Sequence, residues 1–358
     1  MAKNGRAMSL YVPSQRRGIR SAVAVVAAMA SLAGCSGNPL STSQISSTPV
    51  ATPIVVSNTP AASGSPLTEG GTPPPPPSPV DAQAIEQRRK VISDLIAGAR
   101  EKYPGHSAVI FADLDNDTRV EFEPEARFES ASLCKLLILA ELYRQFQVGN
   151  HAPEESLVLL ESQKMGGSGQ LRHAKEGTQH SLQSLAEAMI TESDNTATQM
   201  LTDLLTLEQI QEGTRALGLG DTTLQRDIFD FAAIDQGRDN YITARDAAAF
   251  LQQLAREELP GSRQMSEILE RQKRNDMIGK EFPTGVRVAH KTGELDGILH
   301  DAAIVYAPRG NFILVCLSDQ VVDKEVAKQV WAGLSLDILK LYFDPTPTPS
   351  PQKISATP

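Results

Sequence analysis

Cysteine is scarce: three in 358 residues, too few for a disulfide framework to supply the stability. Histidine is scarce as well. Of the six, His173 and His180 lie seven apart, with no Cys or His at zinc-ligand spacing near them, so neither a metal nor a cofactor is expected. Basic charge is not in excess. The 34 Lys and Arg stand against 43 Asp and Glu, a net −9, which argues against nucleic acid as a partner. Long apolar runs are missing too: Ser21 to Leu32 is too short for a comfortable spanning helix. No internal repeat is found. What is present, 41% hydrophobic and 22% charged residues, is the composition of a globular protein, at a length for one large domain or two small ones.

The two ends stand apart. Arg16, Arg17 and Arg20 form a basic region ahead of Ser21–Leu32, so residues 1–35 read as an export signal. Leu32-Ala33-Gly34-Cys35 resembles a bacterial lipobox, which implies lipidation of Cys35 and anchoring at the extracytoplasmic face of the bacterial membrane. The alternative is an ordinary signal peptide cut nearby, with Cys35 incidental. Arg16-Arg17 also resembles a twin-arginine signal, with poorly matching flanks. Residues 36–81 are Ser, Thr, Pro and Gly, ending in Pro73–Pro77, and cannot bury a core; a disordered tether is expected. Residues 345–358 behave alike. The folded part is then 82–344.

Within it, Ala84–Tyr103 carries a helical pattern stopped by Pro104-Gly105. Ser107–Leu114 and Thr118–Phe122 read as a hairpin around Asp115-Asn116-Asp117. A long, mostly helical stretch runs from Ser132 to about Lys280. Val286–Thr292, Asp301–Tyr306 and Asn311–Leu317 read as strands, and Lys324–Tyr342 as a closing helix. The order predicts an α/β (α+β) fold: a five-stranded antiparallel sheet covered by the N- and C-terminal helices, with an inserted all-helical subdomain over about 125–280. The cleft between sheet and insert is the natural site. Cys134 and Cys316 are expected to be buried free thiols.

Three short runs carry chemistry. Ser132 and Lys135 sit i, i+3 on one helix face, where a serine near the helix start meets outward-pointing N–H groups. Ser193-Asp194-Asn195 closes one apolar helix and opens the next. Lys291-Thr292-Gly293 ends a strand. A free hydroxyl is a poor nucleophile and needs a base; a desolvated Lys135 beside Lys291 can serve. Ser193 is placed to relay a proton to a leaving nitrogen. Asn195 can hold a substrate amide or orient Lys135. Lys291 and Thr292 suit a substrate carboxylate, and Gly293 lets a ligand approach the strand.

Ser132-Leu133-Cys134-Lys135, Ser193-Asp194-Asn195 and Lys291-Thr292-Gly293, with Gly166-Gly167-Ser168-Gly169, resemble the motif set of class A β-lactamases and related penicillin-binding proteins. The resemblance spans 82–344. It implies an oxyanion hole made of the Ser132 and Glu294 N–H groups, and a β-lactam or a D-Ala-D-Ala peptide as ligand; a monomer is expected.

Two departures qualify it. The family's Arg-x-Glu-x-x-x-Asn loop, whose Glu activates the deacylating water, is matched by Arg226, but Ile228 and Ala232 hold the Glu and Asn positions. Asp227 and Asp230 are the nearby carboxylates, candidate bases or else solvated or paired with Arg226. On the strand after Lys291, the family's carboxylate-binding Arg is replaced by Leu299-His300-Asp301, leaving His300 as a candidate contact. The run from Gly237 to Asp246 reads as structural. Three functions stay open: a β-lactam hydrolase, a D-Ala-D-Ala peptidase or related peptidoglycan amidase, and a tethered binding module.

Overall fold

The structure is a computed structural model describing residues 79–343 except Asp117. Cys35 and its export signal, residues 36–78 of the tether and the tail 345–358 lie outside the described residues. The first helix, α1 (Pro79–Lys102), begins five residues before the expected Ala84, because proline suits the first position of a helix, where no N–H is needed. Strands β1 (His106–Asp113) and β2 (Arg119–Phe122) follow as the expected hairpin. The chain then passes through β3 (Arg127–Glu129), a 3₁₀ turn (Ala131–Cys134) and α2 (Lys135–Gln147).

The insert continues with β4 (Ser156–Val158), β5 (Gln179–Ser181), α3 (Leu182–Thr191), α4 (Asn195–Leu205), α5 (Leu207–Ala216) and α6 (Phe231–Asp235). It ends with β6 (Tyr241–Thr243), α7 (Ala244–Ala255) and α8 (Ser262–Glu270). The last elements are β7 (Arg287–Leu295), β8 (Ile298–Ala307), β9 (Gly310–Asp319) and α9 (Lys324–Lys340). The insert is therefore not all helical: β3 pairs with β6 and β4 with β5. These strands have three residues each, too short for alternation to show in the sequence.

The five-stranded antiparallel sheet has the order β2-β1-β9-β8-β7, which makes β7 an edge. Side chains alternate across it. Ala108, Ile110, Ile304 and Val315 face the insert. Val109, Phe111, Val305 and Leu314 face Ile92, Ile96, Trp331 and Ile338 of the terminal helices. With both faces covered, β8 is buried without interruption from Ile298 to Val305. Cys134 and Cys316 are buried free thiols in the two different cores, so the sheet lies between them and burial pushes both thiols up.

His106 ties three elements at the sheet end. Its ring nitrogens meet Asp319 at 2.9 Å and Glu123 at 2.7 Å, and it stacks on Phe128 at 5.2 Å. Burial pulls its pKa down, but the two carboxylates outweigh burial and leave it raised. A raised histidine stabilises the fold fully below its unfolded value of about 6.5, and that contribution is lost as pH rises through the folded value. Melting wild type and His106→Gln from pH 5.5 to 8.5 should show a gap that is widest at the acid end and closes upward. A gap independent of pH would contradict this.

Candidate active site

Ser132 occupies the 3₁₀ turn rather than the α-helix itself, which begins only at Lys135. The i, i+3 relation survives, since residues three apart eclipse in a 3₁₀ turn. The turn is entered through Ala131 at φ 45°, a left-handed conformation that costs a non-glycine residue about 1 kcal/mol or more. Two contacts pin the strand leading in: Ser130 N–H donates to Asn240 O at 2.8 Å, and His300 Nε2 lies 2.8 Å from Glu129 O.

Ser193 projects from the break between α3 and α4, also left-handed at φ 54°. The Asp194 side chain caps α4 through Ala197 N at 2.8 Å. Its second oxygen takes Leu171 N at 2.8 Å, fixing the Gly-rich segment against the break. Gly169 has to be glycine: at φ 99°, a Cβ would overlap Asp194.

Ser193 Oγ is the hub. It donates to Ser132 Oγ at 3.0 Å and receives Lys135 Nζ at 3.1 Å and Lys291 Nζ at 3.3 Å, filling one donor and two acceptor sites. Lys135 also donates to Ser193 O at 2.7 Å and Asn195 Oδ1 at 2.9 Å, so all three of its donors are used. The described hydrogen bonds thus connect Lys135 to Ser132 through Ser193. Lys291 donates to Thr292 O at 2.8 Å. Of the two roles open to Asn195, its oxygen orients Lys135 while its amide holds Gly166 O at 2.8 Å. Burial lowers the Lys135 pKa to about 8. It lowers Lys291 well below the usual lysine range, helped by the Lys135 charge.

Gly293 threads between Ala131 and His300: a Cβ there would meet each at 3.2 Å. The Glu294 side chain turns away to a cationic cluster, Lys324 at 3.1 Å, Arg274 at 3.3 Å and Lys328 at 3.7 Å. Arg274 has no motif around it, and nothing in the sequence singled it out.

Three candidates are not brought to this constellation. Asp230 caps α6 through Ala233 N at 3.1 Å. Asp227 meets Gln199 Nε2 and Phe229 N, both at 3.5 Å. It lines, with Ile228, Ile138 and Leu224, a separate cavity of about 30 Å³. Arg226 binds Asp239 at 2.8 Å and approaches Glu129 at 3.7 Å. His300 is wholly buried and its two nitrogens are engaged by Glu129 O and Ser318 N, so it is not a substrate contact.

Comparison with known proteins accords with this arrangement. The sequence profile of the β-lactamase enzyme family matches residues 87–342. The chain belongs to that family. A β-lactamase of Bacillus licheniformis is 25% identical over 256 residues, spanning 69% of this chain and 82% of that protein. The crystal structure of a β-lactamase from Sphaerobacter thermophilus is 26% identical, with a TM-score of 0.65 over 71% of this chain and 98% of that chain. PBP-A, at 24% identity, shares the fold with a TM-score of 0.60, covering 72% of this chain and 97% of its own. The chain is a serine hydrolase by family, with the β-lactamase and transpeptidase fold.

The run read as structural, Gly237 to Asp246, holds the family loop in place. Buried Asn240 accepts Gln225 N at 2.8 Å and Arg226 N at 3.1 Å, and donates to Arg226 O at 3.1 Å. Leaving buried amides unpaired costs about 1–3 kcal/mol each. Asn240→Ala should therefore destabilise the fold by about 2–4 kcal/mol in urea titration. A loss under about 1 kcal/mol would show that water replaces the side chain.

Proposed function

We propose that this protein opens the β-lactam ring by attack of Ser132, forming an acyl-enzyme whose hydrolysis is slow. The observation carrying the first half is the array of buried Lys135 and Ser193 on part-buried Ser132, with buried Lys291 behind it. In the reaction, Ser132 Oγ bonds to the ring carbonyl carbon as its proton passes through Ser193 toward neutral Lys135. The oxyanion is received by the Ser132 and Glu294 N–H groups. The C–N bond then breaks, and the nitrogen takes a proton back through Ser193. Lys291 and Thr292 hold the substrate carboxylate. Hydrolysis of the ester by water restores Ser132.

The second half rests on the loop clasped by Arg226 and Asp239, where Ile228 and Ala232 offer no base and both aspartates are engaged elsewhere. The same observation favours a second reading, a D-Ala-D-Ala peptidase for which β-lactams are slow inhibitors. A PBP-A mutant has been solved as an acyl-enzyme complex with penicillin G, so an acyl-enzyme of this kind has been captured in a protein of this fold.

Mixing the protein with a chromogenic cephalosporin should give a stoichiometric burst, a slow steady phase and a mass adduct on Ser132, all absent in Ser132→Ala. Rapid turnover without an adduct would remove slow release. No burst, adduct or turnover would remove β-lactam acylation altogether.

The steady rate should not depend on either loop aspartate, since Asp230 caps α6 and Asp227 lines a separate cavity. Asp227→Asn and Asp230→Asn should leave it within about twofold. A collapse in either would identify that aspartate as the base.

The acylation rate should climb with pH through about 8, where Lys135 loses its proton. A flat profile from pH 6 to 9 would exclude Lys135 as the base.

A further inference from the structure

We propose that His300 is a positioning residue that fixes the Ser132 turn against the end of β7, and so sets the spacing of the two backbone N–H groups that receive the oxyanion. The proposal rests on the reading of Ser132 as an acylated nucleophile.

The ring lies where the β8–β9 ladder ends. That register stops at Asp301 with Cys316. Beyond it, Ser318 N–H donates to His300 Nδ1 at 3.1 Å. A backbone N–H can only donate, so Nδ1 carries no proton and Nε2 must carry one. The only way for Nε2–H to pair with Glu129 O, at 2.8 Å, is to donate to it. One neutral tautomer thus satisfies both neighbours, and burial keeps the ring neutral by lowering its pKa to about 4.

The ring joins both halves of the site. Through Glu129 O it holds the residue three before Ser132. Across the sheet it pairs with Gly293, the residue before Glu294. The space a Gly293 side chain would fill is closed on one side by His300 Cδ2 and on the other by Ala131 Cβ, each at 3.2 Å. Ring, strand and turn are therefore in series, with no slack between them. Phe128 of β3 packs its ring edge-to-face with that of His300, at 6.0 Å between centroids, and keeps β3 in line.

This arrangement also accounts for Ala131. A left-handed alanine persists only where its surroundings over-determine it. Here the peptide ahead of it is held by His300 on the sheet side and by Asn240 on the loop side. Without the Nε2–H donor, Glu129 O is released and the turn can relax away from β7.

The test uses the full chain and three variants, read by stopped-flow labelling with a fluorescent penicillin. Its concentration dependence separates affinity from the first-order acylation constant. His300→Gln retains an N–H donor toward Glu129 O. His300→Asn places an acceptor near Ser318 N but does not reach Glu129. His300→Phe keeps ring volume and loses both bonds.

Acylation should fall at least tenfold in His300→Phe and His300→Asn, with affinity changed less than threefold, and His300→Gln should recover to within about threefold of wild type. Should the phenylalanine variant not fold, the glutamine–asparagine contrast alone decides. Equal rates in those two, or a loss confined to affinity or melting temperature, would overturn the positioning role. A wild-type chain that takes no label would instead overturn the acylation reading on which it stands.

Discussion

Two lysine side chains, with no carboxylate hydrogen-bonded to either among the described residues, are buried against a single serine hydroxyl, and the site depends on that arrangement. Transferring an ammonium out of water is unfavourable, and a second one nearby makes it more so. Lys135 donates to the Ser193 carbonyl and hydroxyl and the Asn195 amide oxygen, neutral acceptors, and burial outweighs the nearby Asp194 charge to leave its pKa near 8. The displacement from 10.5 corresponds to about 3 kcal/mol against the charged form. The same burial that weakens the fold supplies a lysine able to accept a proton near neutral pH. Ser193 Oγ meets both lysines and Ser132 Oγ, which is why the proposed proton path from Ser132 runs through it.

Holding this network requires backbone that the sequence disfavours locally. Ala131 and Ser193 both lie in the left-handed region, one beside the nucleophile and the other carrying the hub hydroxyl. Their surroundings compensate them differently. Ser193 sits between two helices, with Asp194 N–H bonded to Ala188 O of α3 and the Asp194 side chain capping α4. Ala131 is held by long-range contacts from the segment entering β6 and from β8. The first is a local device built into three consecutive residues. The second depends on elements far apart in the chain, Asn240 ahead of β6 and His300 of β8.

What could be read from the sequence divides along the same line. Ser193-Asp194-Asn195 declares itself because its contacts are near in sequence: a cap, a break and a new helix. The long strands of the sheet were legible because they have eight to ten residues with buried alternation or unbroken apolar runs. The three-residue strands β3 and β6 were not, since their pairing across the insert leaves no periodic trace. Asp227 and Asp230 stand close to the loop position of the missing Glu. Proximity along the chain does not fix side-chain direction: Asp230 serves a helix cap and Asp227 lines a cleft away from Ser132. His300 shows the converse. Its position suggested a ligand contact, while the sheet geometry makes it a wholly buried link.

Acylation and release ask different things of such a scaffold. Acylation needs Ser132, its base and the oxyanion donors, which the sheet, α2 and the α3–α4 break supply without the loop. Release needs a water held on the far side of the ester and a base to activate it, and in this family that base comes from the loop. Here the loop is well anchored. Arg226 is 6% exposed and bonded to Asp239, and Asn240 engages its first residues. The absence of a carboxylate at Ile228 therefore does not reflect a collapsed segment. A firmly held loop without a carboxylate at Ile228 is what supports the proposed slow release of the ester. On that proposal the two half-reactions draw on different parts of the scaffold, acylation on the sheet and helices and release on the loop.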